Sequence, residues 1–137
     1  YKEHKVGLAS VRAGNVIGGG DWAKDRLIPD IFRSINNDNE TLKIRNPNST
    51  RPWQHVLEPL SGYLTLAEKL YIDGANFSEA WNFGPDDDEV YSVISIVEKL
   101  NNLLADKIKW DEFESNKLHE AKLLSLNMVA THSLKLN

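Results

Sequence analysis

The side chains with chemistry to offer gather around one glycine-rich stretch, Arg12-Ala-Gly-Asn-Val-Ile-Gly-Gly-Gly-Asp-Trp22. Asn15 falls just after the apolar run Val6 to Val11, and its amide can donate to a phosphate or sugar oxygen. The plainer alternative for Asn15 is a turn residue that tolerates left-handed backbone. Arg26 and Arg51 each stand beside a junction between loop and element. An arginine so placed can grip a diphosphate with two parallel N–H bonds, although a single arginine is more often a solvated surface charge. Trp22 and Trp53 lie in loop or edge contexts near these groups and could stack on a base or wall off a sugar. Trp81 and Trp110 sit inside apolar strands, which makes them core candidates. Two arginines, an asparagine and a glycine loop together favour an anionic ligand.

Other chemistries fare worse. The four histidines, His4, His55, His119 and His132, have no metal-ligand spacing. His55 and His119 could face a ligand, though each is more often a structural histidine. The acidic run Asp86-Asp-Asp-Glu89 has no histidine near it and reads as a solvated turn. The chain holds no G-x-S-x-G, no P-loop and no G-x-G-x-x-G opening a helix, and no pair of carboxylates is placed for acid–base work. It has no cysteine, which excludes a disulfide framework, a thiolate metal site and a cysteine nucleophile. A formal net charge of −4 without a basic stripe speaks against a nucleic-acid surface. No apolar run approaches the roughly 20 residues that span a bilayer, so neither nucleic acid nor membrane is an expected partner. The absence of cysteine suits a reducing compartment, and a cytoplasmic location is expected.

The elements that must position these groups alternate in type. Val6 to Val11 is nearly continuous in its hydrophobicity and is expected to be a buried parallel strand. Gly18-Gly-Gly20 then makes a loop that either lets the backbone approach a ligand or simply turns. Asp25 is the expected N-cap of a helix whose stripe is Leu27, Ile28, Ile31, Phe32 and Ile35, ending at Asn36-Asn-Asp-Asn39. Thr41 to Ile44 alternates like a short strand, and residues 45–50 are turn-rich. A strand follows Pro52, up to Leu57. Pro59 is expected at the first position of a second helix, with Leu60, Tyr63, Leu64, Ala67, Leu70 and Tyr71 inward and Asp73-Gly74 as its stop. Ala80 to Phe83 is a short strand stopped by Gly84-Pro85. Ser92 should cap a third helix with Val93, Ile96, Val97, Leu100, Leu103 and Leu104 inward, and Ile108 to Trp110 a further strand. Residues 119–125 are expected to be extended and 126–134 to form a short helix. Alternating strands and helices imply α/β architecture with no boundary inside the chain.

Four stretches carry a resemblance. Arg12 to Trp22, Asp25-Arg-Leu-Ile-Pro29, Arg51-Pro-Trp-Gln-His-Val-Leu-Glu-Pro-Leu-Ser-Gly62 and Ala80-Trp-Asn-Phe-Gly-Pro85 resemble the C-terminal half of enzymes of the extended short-chain dehydrogenase/reductase family that act on nucleotide sugars. The strand-Asn-Val-x-Gly and Asn-Phe-Gly patterns are family-wide. Gly-Gly-Gly-Asp-Trp and Arg-Pro-Trp-Gln-His-Val resemble the branch that acts on CDP-glucose. The resemblance implies an α/β fold, the C-terminal substrate-binding portion of a Rossmann-type enzyme with short strands and amphipathic helices. It implies a single domain over residues 1–137, residues 1–20 carrying a late strand of the Rossmann domain. It also implies NAD as the cofactor, CDP-glucose as the substrate, and a lyase reaction. In that reaction NAD oxidises the C4 hydroxyl, water leaves across C5 and C6, and the hydride returns to C6.

By the same resemblance Asn15 would contact diphosphate or sugar, and Arg26, Leu27 and Ile28 would lie at the nucleotide. Arg51 would pair with the diphosphate, His119 would face the nucleotide from a C-terminal loop, and the backbone at Val16 would lie near the nicotinamide. The family's N-terminal glycine fingerprint is not in this sequence, Tyr1 and Lys5 have the spacing of its Tyr-x-x-x-Lys pair but Tyr1 is not expected to be that tyrosine, and Asp21 and Glu58 do not match its acid–base carboxylates. Both ends are therefore expected to be truncated and the piece to be inactive; a related nucleotide-sugar epimerase or dehydratase, or a non-enzymatic ligand-binding module, is the alternative reading. In such a piece Val6 to Val11 is expected to be an orphaned strand that pairs with another copy in a homo-oligomer, is disordered, or rearranges.

Overall fold

A computed structural model describes residues 6–37, 40–85 and 90–112. Their chain divides into two compact units. The first holds residues 6–17 and 52–85, the second residues 18–51 and 90–112.

In the first unit, β1 (Ser10–Ala13) pairs in parallel with β6 (Ala80–Phe83), and β2 (Asn15–Ile17) in parallel with β5 (Trp53–His55). Between β5 and β6 runs α2 (Leu57–Phe77). The expected strand over Val6–Val11 begins later, because its register is set by its partner. The ladder opens with Ser10 N–H donating to the Glu79 carbonyl, one residue before β6. Upstream, Leu8 N–H donates instead to the Ser78 hydroxyl at 3.0 Å. The strand is not orphaned, since β6 of the same chain covers that edge, and the run is only half-buried, with Val6, Leu8 and Val11 exposed.

Helix α2 differs from the expected amphipathic helix in three ways. It starts two residues before Pro59, which falls third in its first turn, where a missing N–H is harmless. His55 Nδ1 accepts from Leu57 N–H at that start. The helical run breaks at Asp73, where the stop was expected (φ −145°, ψ 65°), but a further short stretch carries it on to Phe77. Its buried face is also rotated. Leu66 is buried with Trp81 and Phe83, and Tyr63, Leu70 and Phe77 pack against them, while Leu60, Leu64, Ala67 and Tyr71 face outward. The packed face passes through Gly62 and Gly74, which add nothing to a hydrophobic stripe yet decide which side can approach. A Cβ on Gly62 would stand 2.2 Å from Phe83 Cε1, and one on Gly74 would stand 2.7 Å from the Cα of Gly7.

In the second unit, β3 (Leu42–Ile44) pairs in parallel with β8 (Trp110–Glu112), and β4 (Thr50–Arg51) antiparallel with β7 (Tyr91–Ser92). Helices α1 (Leu27–Asn36) and α3 (Val93–Leu103) complete it. Ile31, Leu42, Ile44, Val97 and Ile108 form its buried cluster. Leu42 and Ile44 share one face, as their alternation requires. Ser92 caps α3, its hydroxyl accepting from Ser95 N–H at 3.2 Å. Two inward assignments fail: Phe32, in the middle of α1, is 39% exposed, and Leu103, at the end of α3, is 80% exposed. Asp25 does not cap α1. It sits at φ +61°, and Arg26 takes the N-cap position without a side-chain bond. Ile108 is buried, but the strand starts at Trp110.

Trp81 is buried with its indole N–H on the Phe77 carbonyl at 3.1 Å, and Trp110 packs on the second core, as expected of both. The acidic run 86–89 and the elements expected over 119–134 lie outside the described residues.

Candidate functional site

The first unit presents two of the candidate residues, Asn15 and Val16, on consecutive positions of β2. Both are partly buried. Asn15 N–H donates to the Pro52 carbonyl at 2.8 Å, and Val16 pairs with Gln54. Strand pairing thus occupies the main chain at Asn15 and leaves its amide side chain to act. Gln54 went unmarked in the sequence. It is buried, and its Nε2 donates to the Phe83 carbonyl at 2.8 Å, joining β5 to the end of β6. A lone glutamine after Arg-Pro-Trp carries no pattern that would have revealed this. His55 serves the start of α2, the structural role that lone histidines usually have.

The second unit holds Trp22, Arg26, Leu27, Ile28 and Arg51. Trp22 is 60% exposed, on a loop that leads into α1. Asp21 shapes this loop from its start. One carboxylate oxygen accepts from Ala23 N–H at 3.0 Å, a local Asx turn, and the other meets Arg26 Nη1 at 3.4 Å. The Arg26 side chain is 62% exposed. A surface ion pair of this kind is worth about 0–1 kcal/mol, so an incoming phosphate can take Asp21's place at little loss. Leu27 and Ile28, the first residues of α1, turn toward the apolar cluster and fix the helix behind Arg26. Arg51 is buried on β4, and its Nη1 donates to the Thr50 carbonyl at 2.8 Å. His119 lies outside the described residues.

Arg33 also went unmarked in the sequence. From the second turn of α1 it reaches back to the Trp22 carbonyl at 2.8 Å and the Ala23 carbonyl at 2.9 Å, and it pairs with Asp30. Only the Asp30–Arg33 spacing hinted at an ordered side chain, and an i,i+3 pair on a helix is commonplace. Asp25 meets Arg45 at 3.7 Å. The glycines before this loop make a turn: Gly20 has φ +80°, and a Cβ on Gly19 or Gly20 would meet nothing within 4 Å. Among the described residues no group of three His, Asp or Glu side chains could hold a metal ion. None of their helices is long and apolar enough to cross a membrane.

These features can bind an anion and offer an aromatic face to a ring. They contain no arrangement of nucleophile, base and orienting group. Comparison with known proteins gives the context. No family model matches the chain. UDP-glucuronic acid 4-epimerase from Bacillus cereus, solved with UDP-glucuronic acid and NAD, superposes with a TM-score of 0.78 over 97% of this chain and 40% of that one, at 17% identity. An NAD-dependent NDP-hexosamine 5,6-dehydratase of tunicamycin biosynthesis gives 0.62 over 79% of this chain and 32% of that one, at 18% identity. The fold is thus shared with part of each of these two enzymes. In sequence the chain is 60% identical, over 127 residues and 93% of its length, to CDP-glucose 4,6-dehydratase from Salmonella typhimurium, and it spans 35% of that relative. Over that span it is a homologue of CDP-glucose 4,6-dehydratase.

The residues described do not by themselves suit NAD. Gly18 to Gly20 leads to a turn before α1, and no described stretch carries the G-x-G-x-x-G that seats a pyrophosphate at a helix start. No reaction step can be assigned to a dinucleotide on these residues.

Proposed function

We propose that this chain supplies the substrate-binding side of an NAD-dependent CDP-glucose 4,6-dehydratase, a lyase that converts CDP-glucose to CDP-4-keto-6-deoxyglucose. The 60% identity to such an enzyme along nearly the whole chain carries this reading. The loop from Asp21 to Ile28 supports it, with its exposed indole and its weakly held guanidinium. In this reading Trp22 covers the base or the sugar. Arg26, Leu27 and Ile28 border the nucleotide, Arg51 partners the diphosphate, and Asn15 donates to diphosphate or sugar. His119 faces the nucleotide, and the Val16 backbone lies beside the nicotinamide. The enzyme is cytoplasmic and self-associating. The glycine fingerprint is not in these 137 residues and Tyr1 and Lys5, though spaced as Tyr-x-x-x-Lys, do not serve as the family's catalytic pair, so the chain alone binds without turning over.

Calorimetric titration tests the binding half. CDP-glucose should give a saturable heat, and Arg26→Ala should weaken it roughly tenfold, the worth of one charge-assisted hydrogen bond. No saturable heat with CDP-glucose, or tighter binding of UDP-glucose, would refute the assignment. Incubation with CDP-glucose and NAD tests the other half: no 4-keto sugar should form, and clear turnover would show that the chain carries its own catalytic groups.

A further inference from the structure

We infer that Arg33 is a positioning residue for the ligand loop, acting through the main chain of residues 22 and 23 and not on the ligand itself. The inference rests on the reading that Trp22 and Arg26 face a nucleotide sugar.

Loop residues 21–26 have few side chains that could hold them to the unit. Trp22 and Arg26 point outward, and Asp21 spends its carboxylate within the loop. The Asp25–Arg45 pair is long, and its Asp25 side chain is 86% exposed. Such a segment keeps much of its conformational freedom unless the backbone is tied. Arg33 provides that tie. Its planar fork donates from Nη1 to the Trp22 oxygen at 2.8 Å and from Nη2 to the Ala23 oxygen at 2.9 Å. Two acceptors on successive peptide groups fix the direction of the chain there, which a single bond would leave free to swivel. Asp30, one turn back on the same helix, pairs with the guanidinium. The Arg33 side chain is 30% exposed, against 62% for Arg26. Arg33 is thus rooted in α1, whose inner face, through Ile31, packs into the cluster with Leu42, Ile44, Val97 and Ile108. The consequence falls on Trp22 and Arg26, whose directions are set by the peptide groups that Arg33 holds.

Two measurements on the chain test this. The first is the fluorescence anisotropy of Trp22, obtained as the difference between the chain and its Trp22→Phe variant. Arg33→Ala should lower it without moving the urea midpoint of the remaining tryptophans, and Arg33→Lys, which can reach one carbonyl, should fall between. The second is affinity for CDP-glucose. Arg33→Ala should weaken it roughly tenfold, yet change it less than about twofold when Trp22 and Arg26 are already alanine, because a residue acting through them loses its means. An undiminished effect in that background would mean that Arg33 touches the ligand, and would overturn the inference. Unchanged anisotropy would overturn it as well. If the unaltered chain fails to bind CDP-glucose while Arg33→Ala still frees Trp22, the reading of function falls and the tie on the loop stands.

Discussion

The two units solve the same problem of holding short strands against helices by opposite means. In the unit that carries β1, β2, β5, β6 and α2, the decisive contacts are made where side chains are absent. Gly62 lets α2 come down on the Phe83 ring, and Gly7 and Gly74 let two backbones touch. Among the described residues its buried apolar cluster is Leu66, Trp81 and Phe83. In the unit that carries α1, α3 and the shorter strands, five aliphatic or branched residues form the cluster and polar side chains fasten the loops. Close backbone approach leaves no slack, because a glycine contact cannot be repacked by a change of rotamer. An aliphatic cluster tolerates small changes of shape. The first unit should therefore be brittle to added atoms and the second forgiving.

The largest effect that would test this contrast lies at Gly62. Gly62→Ala raises helix propensity by about 1 kcal/mol, but the new methyl would overlap two carbons of a buried ring, at 2.2 and 2.3 Å. The clash should win, with a net loss of roughly 2–3 kcal/mol in urea unfolding followed by tryptophan fluorescence. A neutral or stabilised variant would show that α2 can slide, and the contrast would collapse. A smaller loss is expected in the second unit at Ser92→Ala. Removing the hydroxyl that accepts from Ser95 N–H should cost about 1 kcal/mol, read as a lower thermal midpoint. The smallest effect has the opposite sign. Ala105 holds φ +54° just past the end of α3, where a Cβ is disfavoured. Ala105→Gly should stabilise by roughly 0.5–1 kcal/mol, the strain relieved outweighing the added entropy of the unfolded chain. If Ala105→Gly destabilises instead, the turn after α3 is not strained and the second unit has less room for adjustment than its core suggests.

The same difference explains which parts could be read from the sequence. Where structure follows from near neighbours, it was legible. Leu42 and Ile44 alternate, Ser92 caps α3, α1 ends in its run of asparagines, and Ile31 and Val97 lie on helical stripes that face inward. Where it follows from a distant partner, it was not. The start of β1 is decided by Glu79 and Ala80, far along the chain. The orientation of α2 is decided by two glycines that a search for hydrophobic periodicity passes over, so Leu60, Leu64 and Tyr71 were assigned to the wrong side. Asp25 looked like an N-cap by type and position, yet it takes left-handed backbone and the cap falls to Arg26. Of the candidate site, the residue types around the glycine loop were visible, and the likeness to CDP-glucose 4,6-dehydratase was visible in four motifs that the 60% identity bears out. The ties that hold the loop, Arg33 above all, were invisible because their acceptors are carbonyls, which every residue has.

That last property has a use in protein engineering. A fastening on the Trp22 and Ala23 oxygens does not depend on which side chains those two positions carry. Positions 22 and 23 can be randomised together in a library while Arg33 is left alone, and most members should keep the same backbone path into α1. The loop would then act as an exchangeable cassette on a constant frame, and a change in ligand preference could be selected without redesigning the fold beneath it.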